Sequence, residues 1–315
     1  MTNRFLFVLG CFLLIVLSSN AQTIIPATPP AQVQTNVQNP DTVKHFKYGG
    51  FSVLTFNQVN LSNWAAGGEN ALSTTGIINL FLNYKKGKVI WDNTLDLGYG
   101  LMKNGSKEFR KNEDKMTLNS KLGYQAFGKI FYSALINFRS QFDKGYTYPN
   151  DTTQIEVSQF MSPGYLSISL GMDYKPVDYF SLYVSPAAGK ITIVSRQRLA
   201  DAGAFGVDPE VIENGEVIKS GSKFRTEFGA SLSTRIQKDI VKNVNLASKL
   251  VLFNNYTDKD KANRKNVDVL WEVMVNIKSG KFLTTSIMTN LIYDQNIKSK
   301  TQFKEVFGIG LSYKF

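Results

Sequence analysis

"EVFGIGLSYKF" (Glu305–Phe315) ends on Phe315, with Tyr313, Leu311, Ile309 and Phe307 at every second position behind it and glycine, serine or lysine between them. A strand sends alternate side chains to opposite faces, so this stretch has one apolar, aromatic face and one small or polar face. Chain ends of soluble domains are generally looser than this. The spacing predicts a strand that completes a structure, with Phe307, Leu311, Tyr313 and Phe315 on its outer face as a closure signal.

The same rhythm runs back through the chain. In "ALSTTGIINLFLNY" (Ala71–Tyr84), Leu72, Ile78, Leu80, Leu82 and Tyr84 oppose Ser73, Thr75, Asn79 and Asn83. In "VIWDNTLDLGYGL" (Val89–Leu101), Val89, Trp91, Leu95, Leu97, Tyr99 and Leu101 oppose Asp92, Thr94, Asp96 and Gly98, and "KKGK" between the two stretches reads as a hairpin turn. About twelve such strands are expected, each near the length that a tilted transmembrane strand needs. They begin near Gly50, Ala71, Lys88, Asp114, Ile130, Gly164, Tyr179, Lys223, Val244, Asn266, Lys281 and Phe303. Joins at "KKGK", "FGK", "KPVD", "QKDIVKN" and "KSG" are short, and those around Trp64, Gly105, Tyr146, Phe205, Lys259 and Ile297 are longer. The expected fold is all-β, a transmembrane up-and-down antiparallel barrel with short periplasmic turns and longer extracellular loops. Hydrocarbon offers no partner to an open sheet edge, so the first strand must pair with the last. A water-soluble sandwich would also alternate, but its apolar faces would meet in a dry interior.

The other end agrees. "MTNRFLFVLGCFLLIVLSSNAQ" has a basic start at Arg4, an apolar run and small residues at Ser19 and Ala21, which read as a cleaved signal peptide over 1–21. Its loss would remove the single cysteine, Cys11, and with it any disulfide framework. "VLGC" is a faint lipoprotein box, but the apolar run continues past it. Residues 22–45, rich in proline, glutamine and threonine, read as a flexible periplasmic lead segment, and 46–315 as the barrel domain. A formal charge of +11 would suit nucleic acid, but export argues against such a partner. The expected location is the bacterial outer membrane. Its lipid and lipopolysaccharide, the barrel-assembly machinery and another outer-membrane protein are the expected partners.

Aromatic side chains mark two belts. Tyr84, Tyr124, Tyr132, Tyr174, Phe180, Phe282 and Tyr313 fall near short turns, and Tyr99, Phe138, Phe142, Phe228, Trp271, Tyr293 and Phe307 near long loops. Lysines cluster at the short turns, including Lys85, Lys86, Lys88, Lys129, Lys175, Lys238, Lys242, Lys278 and Lys281, where they would reach lipid phosphates or simply be solvated.

The motifs "SNWAAGGEN" (62–70), "YKKGKVIWDNTLDLGYGL" (84–101), "SALINFRSQFDKGY" (133–146), "FMSPGYLSISLGMDYKP" (160–176), "SLYVSPAAGK" (181–190), "ADAGAFGV" (200–207) and "LVLFNNYT" (250–257) resemble the bacterial "domain of unknown function 3078" family, associated with Bacteroidota. The resemblance covers about residues 46–315. It implies an outer-membrane location but brings no activity and no functional residues.

The lumen must therefore be read from side chains. Alternation assigns Lys121, Arg139, Arg225, Arg235, Lys249, Lys304 and Lys314 inward, against Asp92, Asp96, Asp173, Glu227, Asp268 and Glu272. A selective pore would show a ring of one sign, so this mixture points to a weakly selective channel or a salt-bridged plug. Catalysis finds little support. His45, the sole histidine, precedes the first strand and reads as an exposed linker residue. Asp92 and Asp96, four residues apart on one strand face, stand about 13 Å apart, too far to share a proton. No cofactor or metal is expected: Asp258 and Asp260 have a calcium-like spacing, but lysines surround them. In "SNWAAGGEN", Trp64, Gly67, Gly68 and Asn70 are either ligand contacts or a structural corner over the mouth. In the longest connection, Ser195–Ser222, Asn214-Gly215 predicts a type I′ hairpin, and the loop either folds inward as a constriction or docks a partner. A narrow or gated channel for small solutes is the leading expectation, then a non-conducting structural or assembly component, then an enzyme.

Overall fold

A computed structural model describes residues 45–62, 69–150, 152–280 and 282–314. Twelve antiparallel strands close into a barrel: β1 (Phe46–Val59), β2 (Ala71–Lys86), β3 (Val89–Asn104), β4 (Arg110–Phe127), β5 (Ile130–Ser140), β8 (Gly164–Val177), β9 (Phe180–Ile193), β12 (Phe224–Val241), β13 (Val244–Asn255), β14 (Asp268–Ser279), β15 (Leu283–Asp294) and β16 (Lys298–Lys314). Each pairs with its neighbours in chain order, and β1 pairs with β16 to shut the ring. Two small hairpins stand in the loops: β6 (Gly145–Thr147) with β7 (Ile155–Ser158), and β10 (Val211–Glu213) with β11 (Glu216–Lys219). Ahead of the second hairpin lies a short helix, α1 (Gln197–Asp201).

The period of two becomes a wall with an apolar outside. Leu54, Ile78, Leu118, Leu122, Ile136, Leu170, Phe307 and Leu311 are exposed on the outer face, Leu311 at 61%. Their neighbours in sequence turn inward, and many are small or polar: Thr55, Thr75, Thr117, Ser133, Ser169, Thr284, Ser286 and Ser312 are buried. No dry interior gathers the strand leucines, which removes the sandwich alternative. Among the described residues the apolar cluster of buried side chains is small and belongs to a loop: Val194, Leu199, Ala200 and Val207, with Ala204 and Phe205 against them. Both aromatic belts lie on the outer face, including Tyr124, Tyr132, Tyr174 and Tyr313 at one edge and Tyr99, Phe142, Phe228 and Trp271 at the other.

Short turns close tightly where the backbone turns left-handed, at Gly87 (φ 55°), Gly128 (φ 53°), Asn243 (φ 67°) and Gly280 (φ 77°). The predicted type I′ hairpin is present, with φ of 53° at Asn214 and 85° at Gly215. Four expectations need correction. The join around Ile297 spans only residues 295–297, because β16 starts at Lys298 rather than near Phe303. β1 and β4 likewise start four residues earlier than expected, at Phe46 and Arg110, because the alternation near a rim blends into turn sequence. His45 is half-buried rather than an exposed linker residue: its Nδ1 lies 3.2 Å from the Lys85 carbonyl oxygen, and its ring meets the edge of Tyr84. Lys175 turns into the lumen rather than towards lipid. The signal peptide, most of the lead segment, Trp64, Gly67, Gly68, Lys281 and Phe315 lie outside the described residues.

The seam between β1 and β16 is the shortest in the ring. It pairs only Phe51–Phe56 with Ile309–Lys314, whereas β1 pairs with β2 from Phe46 to Val59. Close approach there depends on glycine: a methyl group at Gly310 would fall 1.9 Å from the Leu54 carbonyl oxygen.

Candidate functional site: a charge lattice across the lumen

The barrel axis is crossed by side chains at three levels. At the middle level Lys115 on β4 bonds Glu272 on β14. These strands stand six places apart either way round the ring, so the contact spans it wall to wall. Beside it Lys304 on β16 reaches Glu113 on β4 at 2.7 Å. Lys249 on β13 donates to Asn119 Oδ1 on β4 at 3.1 Å. Asn137 Nδ2 donates to the same oxygen at 2.7 Å, and Asn79 Nδ2 donates to Asp96.

Towards the short turns, Asp173, whose side chain has no exposed surface, takes Lys121 Nζ at 2.6 Å and Lys175 Nζ at 3.6 Å. Lys175 also bonds Asp92. Ser181 Oγ donates to Asp173 at 2.6 Å and accepts from Lys121 at 2.9 Å. Towards the long loops, Lys190 sits among three carboxylates: Asp268 at 2.9 Å, Asp294 at 3.0 Å and Glu227 at 3.3 Å. Arg225 Nη2 joins Glu227 at 2.9 Å and Asp294 at 3.5 Å. Charges withdrawn from water this far are tolerated because each meets an opposite charge.

Loop 194–223 lies over this upper cluster. A methyl group at Gly206 would come within 2.3 Å of Arg225 Nη1 and 2.8 Å of the Asn296 carbonyl oxygen, so the loop backbone rests directly on the lattice. The loop is fixed from several sides. Asp201 Oδ1 accepts from Gly221 N at 2.8 Å and Gln197 Nε2 at 2.7 Å, while Arg198 Nη2 donates to the Glu156 carbonyl at 2.6 Å. Lys259 pairs with Asp208 at 2.6 Å. The segment folds inward, and the β10–β11 hairpin remains outside with Val211, Ile212, Val217 and Ile218 exposed.

The inward candidates Asp92, Asp96, Lys121, Arg139, Asp173, Arg225, Glu227, Arg235, Lys249, Asp268 and Glu272 all lie on the lumen side of their strands, as their cross-strand partners and contacts place them. They do not form one site. Asp92 and Asp96 part company, to Lys175 and to Asn79, and Asp268 and Glu272 serve different levels. Asn70 holds its own loop, accepting from Leu61 N at 2.6 Å through Oδ1 and from Gly105 N at 2.6 Å through its carbonyl. Asp258 and Asp260 cap loop amides, and no cluster among the described residues has the donors for a metal ion. Lys190, Lys115, Lys175, Glu113 and Asp294 are lattice members that strict alternation did not single out.

Residues 56–146 match the family described as "Protein of unknown function (DUF3078)". This is the family that the motifs resemble. The DUF3078 segment runs from the end of β1 into the β6 hairpin, so it supplies the wall bearing Asp92, Asp96, Glu113, Lys115, Lys121 and Arg139. No curated protein matches the chain in sequence. Among solved structures, it is similar to the translocator domain of autotransporter NalP from Neisseria meningitidis: 9% identity, 88% of this chain, 90% of that one, TM-score 0.38. It is also similar to the COG4313 outer membrane channel from Pseudomonas putida F1, with 12% identity, 88% and 99% coverage and a TM-score of 0.36. The outer membrane channel DcaP of Acinetobacter baumannii is similar at 8% identity, 86% and 97% coverage and a TM-score of 0.32.

Proposed function

We propose that this protein is an outer-membrane β-barrel that is closed at rest, its lumen barred by ion pairs rather than held open for diffusion. The observation that carries this reading is the Lys115–Glu272 contact between diametrically opposite strands, flanked by Lys304–Glu113 and Lys249–Asn119. A water-filled pore lined by charge keeps its ionic groups on the walls, facing solvent. In this barrel they meet across the axis, as in a plugged lumen. The outer-membrane setting is supported by the apolar outer wall, the two aromatic edges and the closure of β1 on β16. It makes barrel-assembly machinery the route of insertion, and lipid and lipopolysaccharide the surrounding partners.

Two consequences separate a permanently closed component from a gated channel. Loop 194–223, with its own buried cluster, is built as a discrete cover, which favours a gate as the second reading. Planar-bilayer recordings of the purified protein should show no steady conductance. A variant lacking residues 196–221 and carrying Lys115→Ala with Glu272→Ala should conduct if the lattice is a gate, and should stay silent if the barrel is a structural or assembly component. Steady current through the unmodified protein would overturn the closed reading.

A further inference from the structure

The lattice does not balance everywhere. Every lumen carboxylate described above has a cation within 4.0 Å except Asp96, which takes the Asn79 amide. Three inward cations, Arg139, Lys249 and Arg235, form no ion pair among the described residues. They share one region of the barrel. Lys249 and Arg235 are direct cross-strand partners on β13 and β12, and Arg139 and Lys115 lie within electrostatic reach of Lys249. Like charges placed directly opposite one another on neighbouring strands repel, and nothing in the fold requires them there.

Their hydrogen-bonding capacity is also underused. An ammonium carries three donors and a guanidinium five. Lys249 Nζ has one protein acceptor, Asn119 Oδ1, which already accepts from Asn137. Arg139 stacks on the Tyr165 ring, 5.0 Å from its centroid, and no hydrogen bond from its guanidinium to a described residue is formed. Arg235 Nη2 reaches only Gln237 Oε1, at 2.8 Å, and both residues are exposed at the short-turn end of the lumen. Access therefore comes from that end, since the other is covered by the Lys190 cluster and loop 194–223.

We propose that Arg235, Lys249 and Arg139 form a binding site for a small oxyanion of the phosphate class, entered from the short-turn end of the lumen and closed above by the Lys115–Glu272 bridge. Planar guanidinium forks and an ammonium with spare donors are matched to tetrahedral oxyanions. Bound there, the anion would relieve the Lys249–Arg235 repulsion and occupy the idle donors. The site goes beyond the closed-barrel reading and does not depend on it.

The test is equilibrium dialysis of the purified full-length chain in detergent against radiolabelled inorganic phosphate, at constant ionic strength in chloride. The expected result is saturable uptake near one phosphate per chain, weakened about tenfold or more by Lys249→Met or Arg235→Gln, since each removes charge-assisted donors. Lys259→Met, which alters an exposed loop lysine, should leave uptake unchanged. If Lys249→Met misfolds, Arg235→Gln, at an exposed position, gives the same readout on a folded barrel. Absence of saturable uptake by the unmodified chain, or equal uptake by a folded Arg235→Gln variant, overturns the proposal. Neither result bears on conductance, and current through the unmodified barrel would leave the phosphate site standing.

Discussion

At the scale of single residues, the ammonium of Lys190 does the work of several partners. It neutralises Asp268, Asp294 and Glu227 from one point, and its side chain keeps only 13% of its exposure. Lys190→Met leaves those carboxylates with Arg225 alone, and Arg225 reaches only Glu227 and Asp294. Removing one member of a buried ion pair costs about 3–5 kcal/mol, because the orphaned charge stays out of water. Urea unfolding of the detergent-solubilised barrel should therefore show Lys190→Met destabilised by about that amount. Adding Asp268→Asn should restore part of the loss, as it removes the carboxylate left without a cation. An unchanged midpoint in Lys190→Met would mean that the upper cluster is hydrated and contributes little. Lys259–Asp208, by contrast, is largely exposed on both sides. Its removal should shift stability by no more than about 1 kcal/mol.

Individual strands show why part of the site was hidden from a sequence reading. Alternation located all twelve barrel strands, since each wall position needs one face for each environment, and that pattern survives in any single strand. It failed where the register slips. On β9 the pairing skips between Ser185 and Ala188, so Ser181, Tyr183 and Ser185 face inward and then Ala188, Lys190 and Thr192 do. A strict count of two from Phe180 turns Lys190 outward, although Pro186, which cannot donate to a ladder, marks the slip. A similar shift near Gly100 and Leu101 separates Lys111, outside, from Glu113, inside, and another near Ile292 precedes Asp294. Lys115 lay in phase, but its partner Glu272 stands across the ring, a relation that no local pattern encodes. The same register logic makes a prediction for β16. A side chain at Gly310 cannot coexist with the Leu54 carbonyl at the observed spacing. Gly310→Val should sharply reduce the fraction of protein that runs as a folded barrel in heat-modifiability gels, while Gly280→Ala, at an open turn, should only slow or slightly weaken folding.

On the scale of the whole molecule, stability and insertion depend on two opposite surfaces. Outside, the wall must remain apolar through the bilayer. Leu118 lies near the middle of β4 on that wall, and Leu118→Lys should cost about 2–4 kcal/mol in lipid vesicles, the range for a cation at the midplane of a barrel. The same exchange at Ser167, which faces the lumen opposite Asn137, should be far milder. Equal losses at the two positions would contradict the inside–outside assignment. Inside, the ion pairs make the barrel a cross-braced tube whose opposite walls are tied together. Cutting one brace should therefore alter the mobility of distant strands before it alters their pairing.

The stitch between Phe51–Phe56 and Ile309–Lys314 joins the two ends of the barrel sequence and is the briefest of all. Bringing such remote segments together carries the largest loop-closure entropy in the fold, yet few ladder bonds reward it. Closure should thus be the last and slowest event of biogenesis, leaving an interval in which two bare edges sit side by side in lipid. Whatever escorts the nascent chain through that interval must grip an exposed margin of backbone, and the tail beginning at Phe307 lies on that margin, where it can be held until the ring is complete.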